Sequence, residues 1–207
     1  MEIIQPSYKI MFPYSHMDAV EMAKDMERII RICYKSEAKI TDDSYEGFLR
    51  ARMSEKHEAM FEHSMMTVKF ICDRGISHEL VRHRLAAFAQ ESTRYCNYKS
   101  SGIMVICPEE IRGDDEAFNV WLEGRHADQR EYEYYVNVKG FKPQIARNCL
   151  PTCVKTEIAV TANWREWRHI FHMRTPLTAH PQMQELMIPL LADAKNLIPV
   201  MFDNITV

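Results

Sequence analysis

The 207-residue chain predicts an α+β fold: an antiparallel sheet packed by helices, in a single domain over residues 1–207. Three observations carry this expectation. Met66, Val68, Phe70 and Cys72 alternate with Thr67, Lys69 and Ile71. From Val154, the residues Val154, Thr156, Ile158, Val160 and Ala162 alternate in the same way with Lys155, Glu157, Ala159 and Thr161. Successive side chains on a strand point to opposite faces, so both segments read as strands with one face inward. Val20, Ala23, Met26, Ile30 and Cys33 instead recur at three- and four-residue intervals, the period of an amphipathic helix.

The other elements follow in order. Ser15, with Asp18 three residues on, starts the first helix in capping-box fashion. Tyr45 to Lys56 reads as a second short helix. After the Met66–Cys72 strand, Asp73-Arg74-Gly75 is expected to turn the chain, and Ser77 then begins a short helix with Glu79 in its first turn. Ile103 to Cys107 reads as an apolar strand ended by Pro108. Asp114 to Val138 reads as one long helix with Phe118, Trp121, Leu122, Arg125, Gln129, Tyr132 and Tyr135 along one side, a stripe for core or subunit interface. Pro143 suits the first turn of a helix that Pro151 stops. Asn163 is a natural N-cap for a helix from Trp164 to Met173, and the last helix starts at Pro181, kinks at Pro189 and runs toward Val200.

Composition narrows the function classes. Hydrophobic residues make up 46% and charged residues 27%, which is ordinary for a globular chain able to bury a core. The formal charge of −3 lacks the broad basic face of a nucleic-acid binder. Positive charge is local, at Arg82–Arg94 and Arg165–Arg174, which favours a site for small anions. Six glycines and no G-x-G-x-x-G or Walker pattern mean that any bound nucleotide is held without a Gly-rich loop. The six cysteines form no C-x-x-C pair, the N-terminus carries no signal-peptide pattern and no apolar run approaches membrane-spanning length. Reduced thiols in a cytoplasmic protein are therefore expected.

Two constellations carry chemistry. In Arg82-His-Arg-Leu-Ala-Ala-Phe-Ala-Gln-Glu-Ser-Thr-Arg-Tyr95, two arginines and a histidine precede an apolar run, and Ser92 and Arg94 follow it. On a helix Arg82 and Arg84 would diverge by about 200°, too far to grip one small anion together. By pattern alone the stretch is either an anion site or a solvated basic helix end with a turn. His78-Glu79-x-x-Arg82-His83 misses the zinc-protease spacing, because histidines five apart point about 140° from each other on a helix. His57 and His63 place no third metal ligand. The second constellation, Asn163, Arg165, His169 and Arg174, follows a strand into a helix, where backbone N–H groups can dock an anion. Arg165, Arg168 and His169 are spaced to share one side. The alternative for this segment is a basic amphipathic helix pairing with glutamates.

Arg-His-Arg, seven residues, Ser92 and then Thr93-Arg94-Tyr95 resembles the signature of flavin-dependent thymidylate synthases. The likeness extends over roughly residues 15 to 190. It includes Arg31-Ile-Cys-Tyr-Lys-Ser36, His57-Glu-Ala-Met-Phe-Glu-His63, Arg147 ahead of a Leu-Pro, Asn163-Trp-Arg165 with His169 and Arg174, and His180-Pro-Gln182. Ala59, Gln90 and His169 stand where such proteins often carry Ser or Thr, Glu, and Asn.

The resemblance implies a homotetramer with active sites shared between subunits. It implies FAD held by Ser36, His57, Arg82, His83, Arg84, Gln90, Asn163, Arg165 and His169. Deoxyuridylate (dUMP) would be bound by Glu79, Arg82, Gln90, Glu91, Ser92, Thr93, Arg94, Arg147 and Arg174. Arg174 would face the pyrimidine and serve as the catalytic residue, and no metal is implied. NADPH and 5,10-methylenetetrahydrofolate would be the co-substrates. No Pro-Cys-His segment is present to supply a thiol nucleophile. Two other classes stay open: a non-catalytic nucleotide- or nucleic-acid-binding module using the same arginines, and a flavin-binding family member that has lost activity.

Overall fold

The computed structural model describes residues 1–96, 98 and 102–206. The chain opens with two strands that no periodicity announced, β1 (Glu2–Ile3) and β2 (Ser7–Phe12). Helix α1 (His16–Ile32) follows, capped by the Ser15 hydroxyl on the Asp18 N–H, and buries Ala19, Ala23, Met26 and Ile30. Next come α2 (Ser44–Ser54), a tight turn at Glu58–Glu62, and β3 (Met66–Asp73). Then follow α3 (Arg74–Leu80), β4 (Ala86–Gln90), β5 (Met104–Val105), α4 (Glu109–Arg112) and α5 (Asp115–Glu133). The chain continues through α6 (Pro143–Ala146), β6 (Lys155–Ala162), α7 (Trp164–Arg174), α8 (Pro181–Leu197) and α9 (Pro199–Phe202).

The larger sheet has the order β2-β3-β6-β4. Its central pair is antiparallel: Thr67 and Thr161 hydroxyls meet at 2.9 Å, and the Arg74 N–H reaches the Val154 carbonyl at 3.1 Å. The two central strands fully bury alternate residues, whereas the edge strands alternate only between exposed and half-buried. That is the pattern of a sheet covered more tightly at its middle than at its rims. A separate parallel pair joins β1 to β5.

By contact density the chain forms two compact units, and β3, β4 and β6 each run from one into the other. The first comprises Met1–Ser7, Phe70–Arg82 and Ala89–Ala159. Its core is Ile103, Val105, Tyr132, Ala146 and Val154, packed by Trp121, Tyr135, Val136 and Leu150. The second comprises Tyr8–Lys69, His83–Phe88 and Val160–Val207. There Trp167 donates its indole N–H to the Met66 carbonyl at 2.8 Å, and an aromatic chain runs from Trp167 through Phe171 to Phe202.

Several expectations are corrected. Asp73 is not a turn residue but the cap of α3, its carboxylate accepting from the Ile76 N–H at 2.7 Å. The helix therefore begins three residues before Ser77 and ends at Leu80, which leaves Arg82, His83 and Arg84 in a turn. The helical divergence of Arg82 and Arg84 does not apply, nor does the helical angle between His78 and His83. The apolar run after them is strand β4. The strand expected over Ile103–Cys107 shrinks to Met104–Val105. The long helix ends at Glu133 and passes into a wider turn, Tyr134–Val138; only Tyr132 of its stripe is fully buried. The helix from Pro143 closes at Ala146 and tightens over Arg147–Cys149. Pro189 lies inside α8.

Candidate active site

Helix α7 organises the second unit's site. Strand β6 ends at Ala162, and Asn163, in extended conformation, caps the next turn: its Oδ1 accepts from the Glu166 N–H at 2.8 Å. The cap frees α7 to start at once after the strand, so Arg165, Glu166, His169 and His172 line a cavity of about 490 Å³ with Asn163, Glu58, Glu62, Leu85 and Arg168. Arg165 pairs with Glu62 at 2.6 Å and Glu58 at 3.9 Å, as the basic-helix alternative anticipated. All three side chains are close to half exposed, so the pairs balance charge more than they stabilise the fold. Arg168 does not serve the cavity with its charge. It is buried, and its guanidinium donates to the Met201 carbonyl and to Asn204 Oδ1. Arg165 also borders a neighbouring cavity of about 460 Å³, lined by Lys56, His57, Glu58, Ala59 and Met60.

At the other end of α7, Arg174 is anchored. Its Nε donates to His83 Nε2 at 3.1 Å. A guanidinium has no acceptor, so His83 Nε2 carries the lone pair and the ring proton sits on Nδ1. Nδ1 faces Glu166 Oε1 at 3.6 Å, and the His169 ring crosses edge-on with centroids 5.8 Å apart. His83 and Glu166 are each only 6% exposed. Burial, then the Arg174 charge, then His169 lower the His83 pKa to about 4, so the ring is neutral near pH 7. Burial raises the Glu166 pKa, opposed by His169 and Arg165.

The first unit holds a polar cluster. Gln90 Nε2 donates to Ser77 Oγ at 2.8 Å and Thr156 Oγ1 at 3.2 Å. The Ser77 hydroxyl donates to the Arg74 carbonyl at 2.9 Å, and Arg74 Nη1 donates to Thr156 Oγ1 at 3.4 Å. The Gln90 amide therefore works as a donor, a task no carboxylate at that position can perform. Glu91 takes Lys155 Nζ at 3.0 Å, the Tyr98 hydroxyl at 3.0 Å and the Glu157 N–H at 3.2 Å. Burial and the Glu91 charge push the Tyr98 pKa well up. Arg147 donates to the buried Thr93 hydroxyl at 3.2 Å. The Ser92 hydroxyl accepts from the Arg94 N–H at 3.3 Å, and the exposed Arg94 guanidinium lies over the Tyr95 ring.

The expected residues thus fall into groups. Asn163, Arg165 and His169 share one cavity; His57 lines the next, with Nδ1 3.0 Å from the Tyr34 hydroxyl; His83 and Arg174 touch. Glu79, Arg82, Gln90, Glu91, Ser92, Thr93, Arg94 and Arg147 belong to the other unit. Ser36 lines neither cavity and accepts from Arg31 at 3.3 Å, its backbone opening a short turn. Arg84 is exposed. Sequence reasoning missed Glu58, Glu62, Glu166 and His172 in the large cavity, and Ser77, Tyr98, Lys155 and Thr156 in the polar cluster. The one signal was Glu166, three residues after a capping Asn. Among the described residues, no group of three or more His, Cys, Asp or Glu side chains is arranged to hold a metal ion. No helix among them is long and apolar enough to cross a membrane.

The chain is similar to known proteins over most of its length. The family model described as "Thymidylate synthase complementing protein" matches residues 16–200. The flavin-dependent thymidylate synthase of Geobacter sulfurreducens is 30% identical over 179 residues, 83% of this chain and 77% of that one. The enzyme of the same name from Pyrococcus horikoshii is 33% identical over 168 residues, 78% and 69% of the two chains. Among solved structures, the UMP/dUMP methylase PolB from Streptomyces cacaoi, bound with 5-Br dUMP, superposes with a TM-score of 0.79 over 98% of this chain and 96% of that one. At 20% identity that likeness bears on the fold alone. With the Arg82–Tyr95 signature, the residues of α7 and a family match covering most of the sequence, the chain belongs to the flavin-dependent thymidylate synthase family.

Proposed function

We propose that the protein is a flavin-dependent thymidylate synthase, acting as one domain over residues 1–207. It methylates dUMP to dTMP, taking the carbon from 5,10-methylenetetrahydrofolate and using FAD reduced by NADPH, without a cysteine nucleophile. The observation that carries this reading is α7, which joins Asn163, Arg165 and His169 in one cavity to an anchored, half-buried Arg174. The names of the relatives support the reaction.

The donor set fits a flavin nucleotide. Asn163 spends its carbonyl on the cap, which leaves its amide as the side chain's donor, and the Arg165 guanidinium offers a cation to a phosphate. Ser36 only accepts from Arg31, so its hydroxyl retains a proton to donate. With His57, Arg82, His83, Arg84, Gln90 and His169, these residues would hold FAD. When bound, FAD supplies the hydride chemistry that no side chain can perform.

The protein's own part is binding and charge. Ser92, Arg94 and Arg147 hold the nucleotide phosphate, with Glu79, Arg82, Gln90, Glu91 and Thr93 around them. Arg174 faces the base, where its guanidinium stabilises negative charge on the carbonyl oxygens and so favours the N3-deprotonated, electron-rich ring. Thiol attack is disfavoured at four of the six cysteines: burial pushes Cys72 up to about 12 and Cys149 and Cys153 up to about 11, and raises Cys107. Thiolates are therefore scarce near pH 7 at these positions. The active assembly is a homotetramer with shared sites.

The second reading, a flavin binder without activity, is motivated by Ala59, Gln90 and His169. Purified protein supplied with FAD is expected to keep flavin absorbance through desalting and to convert dUMP to dTMP with methylenetetrahydrofolate and NADPH. Flavin absorbance without turnover would favour the second reading, and a protein that cannot be loaded would defeat both. Arg174→Ala is expected to stay folded and flavin-bound yet lose most of its turnover, with little recovery in Arg174→Lys.

A further inference from the structure

The geometry points to Glu166 as a positioning residue that acts through His83 to aim the Arg174 guanidinium. The inference rests on the proposed role of Arg174. It uses a residue whose sequence position suggests only helix capping.

Hydrogen-bond capacity fixes the His83 tautomer. Arg174 Nε can only donate, and its acceptor is His83 Nε2 at 3.1 Å. That contact requires the Nδ1–H form of a neutral ring. A neutral imidazole chooses between its two tautomers according to what each nitrogen faces. His83 Nδ1 faces the Glu166 carboxylate, the acceptor that favours a proton there. At 3.6 Å this is an electrostatic contact longer than a hydrogen bond, but both groups are almost fully buried, where solvent screening is weak.

The Glu166 N–H is held by Asn163 Oδ1, and its side chain is among those lining the cavity. Three groups that face His83 come from one element: Glu166, His169 and Arg174 lie on α7. The helix thus carries both the arginine and the carboxylate that orients the arginine's acceptor. His83 is the joint between them. Truncating Glu166 would let the ring populate the Nε2–H form, in which two N–H groups oppose each other and Arg174 swings away from His83.

The test combines a spectroscopic and a kinetic arm. Protein labelled with ¹⁵N at histidine is examined by long-range ¹H–¹⁵N correlation at pH 7, the His83 signals being those absent from His83→Gln. The wild type is expected to show a protonated Nδ1 and a lone pair on Nε2; Glu166→Ala should show mixed tautomers, and Glu166→Gln, whose amide oxygen still accepts, should resemble the wild type. In turnover of dUMP, Glu166→Ala should lose about tenfold in kcat with KM within about twofold, and Glu166→Gln should regain most of it. If Glu166→Ala does not fold, Glu166→Asp, which withdraws the carboxylate by one methylene, should show the same losses. A wild-type His83 protonated on Nε2, or wild-type kcat in the shortened variant, would overturn the inference. Wild-type protein without dUMP turnover would refute the proposed function, and the tautomer arm would then decide this inference alone.

Discussion

Acidification should destabilise the protein through His83. The buried ring is neutral when folded, with its pKa lowered from the ordinary 6.5 to about 4. The unfolded chain binds the proton more readily, so His83 contributes stability above pH 6.5 that is lost as the pH falls toward 4. One pKa unit is worth 1.36 kcal/mol, so the loss attributable to His83 is about 2 kcal/mol between pH 7 and 5 and about 3 kcal/mol by pH 4. Glu166 acts with the opposite sign. Its carboxyl pKa is raised by burial, so the folded state binds its proton more readily and acidification through that range favours folding. His83→Gln isolates the histidine, since glutamine accepts from Arg174 without titrating. Urea unfolding followed by circular dichroism at pH 7, 6 and 5 should show the wild type losing about 2 kcal/mol more than His83→Gln over that range. Equal losses in the two proteins would refute the neutral buried ring, and with it the tautomer on which the Arg174 contact depends.

Asn163→Ala should cost about 1 kcal/mol of folding stability by removing the acceptor of the Glu166 N–H, whereas Asn163→Asp should keep it; thermal melts compare the two. Each cysteine replaced singly by serine should leave turnover substantial in variants that fold, with Cys72 and Cys107 the most destabilised because each is only 1% exposed; assays and melts on the six variants check this. Arg94→Ala and Arg174→Ala, unfolded together and refolded with FAD, should regain about a quarter of the wild-type sites if one nucleotide is bound by two chains. Mixed oligomers, verified by mass, that remain inactive would place both arginines in one chain.

What the sequence determined by itself is local. Ser15 and Asn163 cap the helices that follow them because a short polar side chain reaches an N–H two or three residues on, whatever the rest of the chain does. The alternation in Met66–Asp73 and Lys155–Ala162 marks central strands because one sheet face must be dry. The Arg82–Tyr95 spacing and the residues from Asn163 to Arg174 carry the family resemblance in the sequence itself. Tertiary structure decided the rest. The β1–β5 pair joins Glu2–Ile3 to Met104–Val105, segments too short to carry a period and about a hundred residues apart. Asp73, not Ser77, caps α3: its carboxylate takes the Ile76 N–H, while Ser77 lies inside the helix, donating to the Arg74 carbonyl and accepting from Gln90. The helix stops at Leu80, so Arg82 to Arg84 lie beyond it, with His83 buried and both arginines exposed. The same holds for Glu166. Its place three residues after Asn163 suits a capping carboxylate, yet burial turns it to His83, because the ring that needs an acceptor lies eighty-three residues earlier and meets it only in the folded chain.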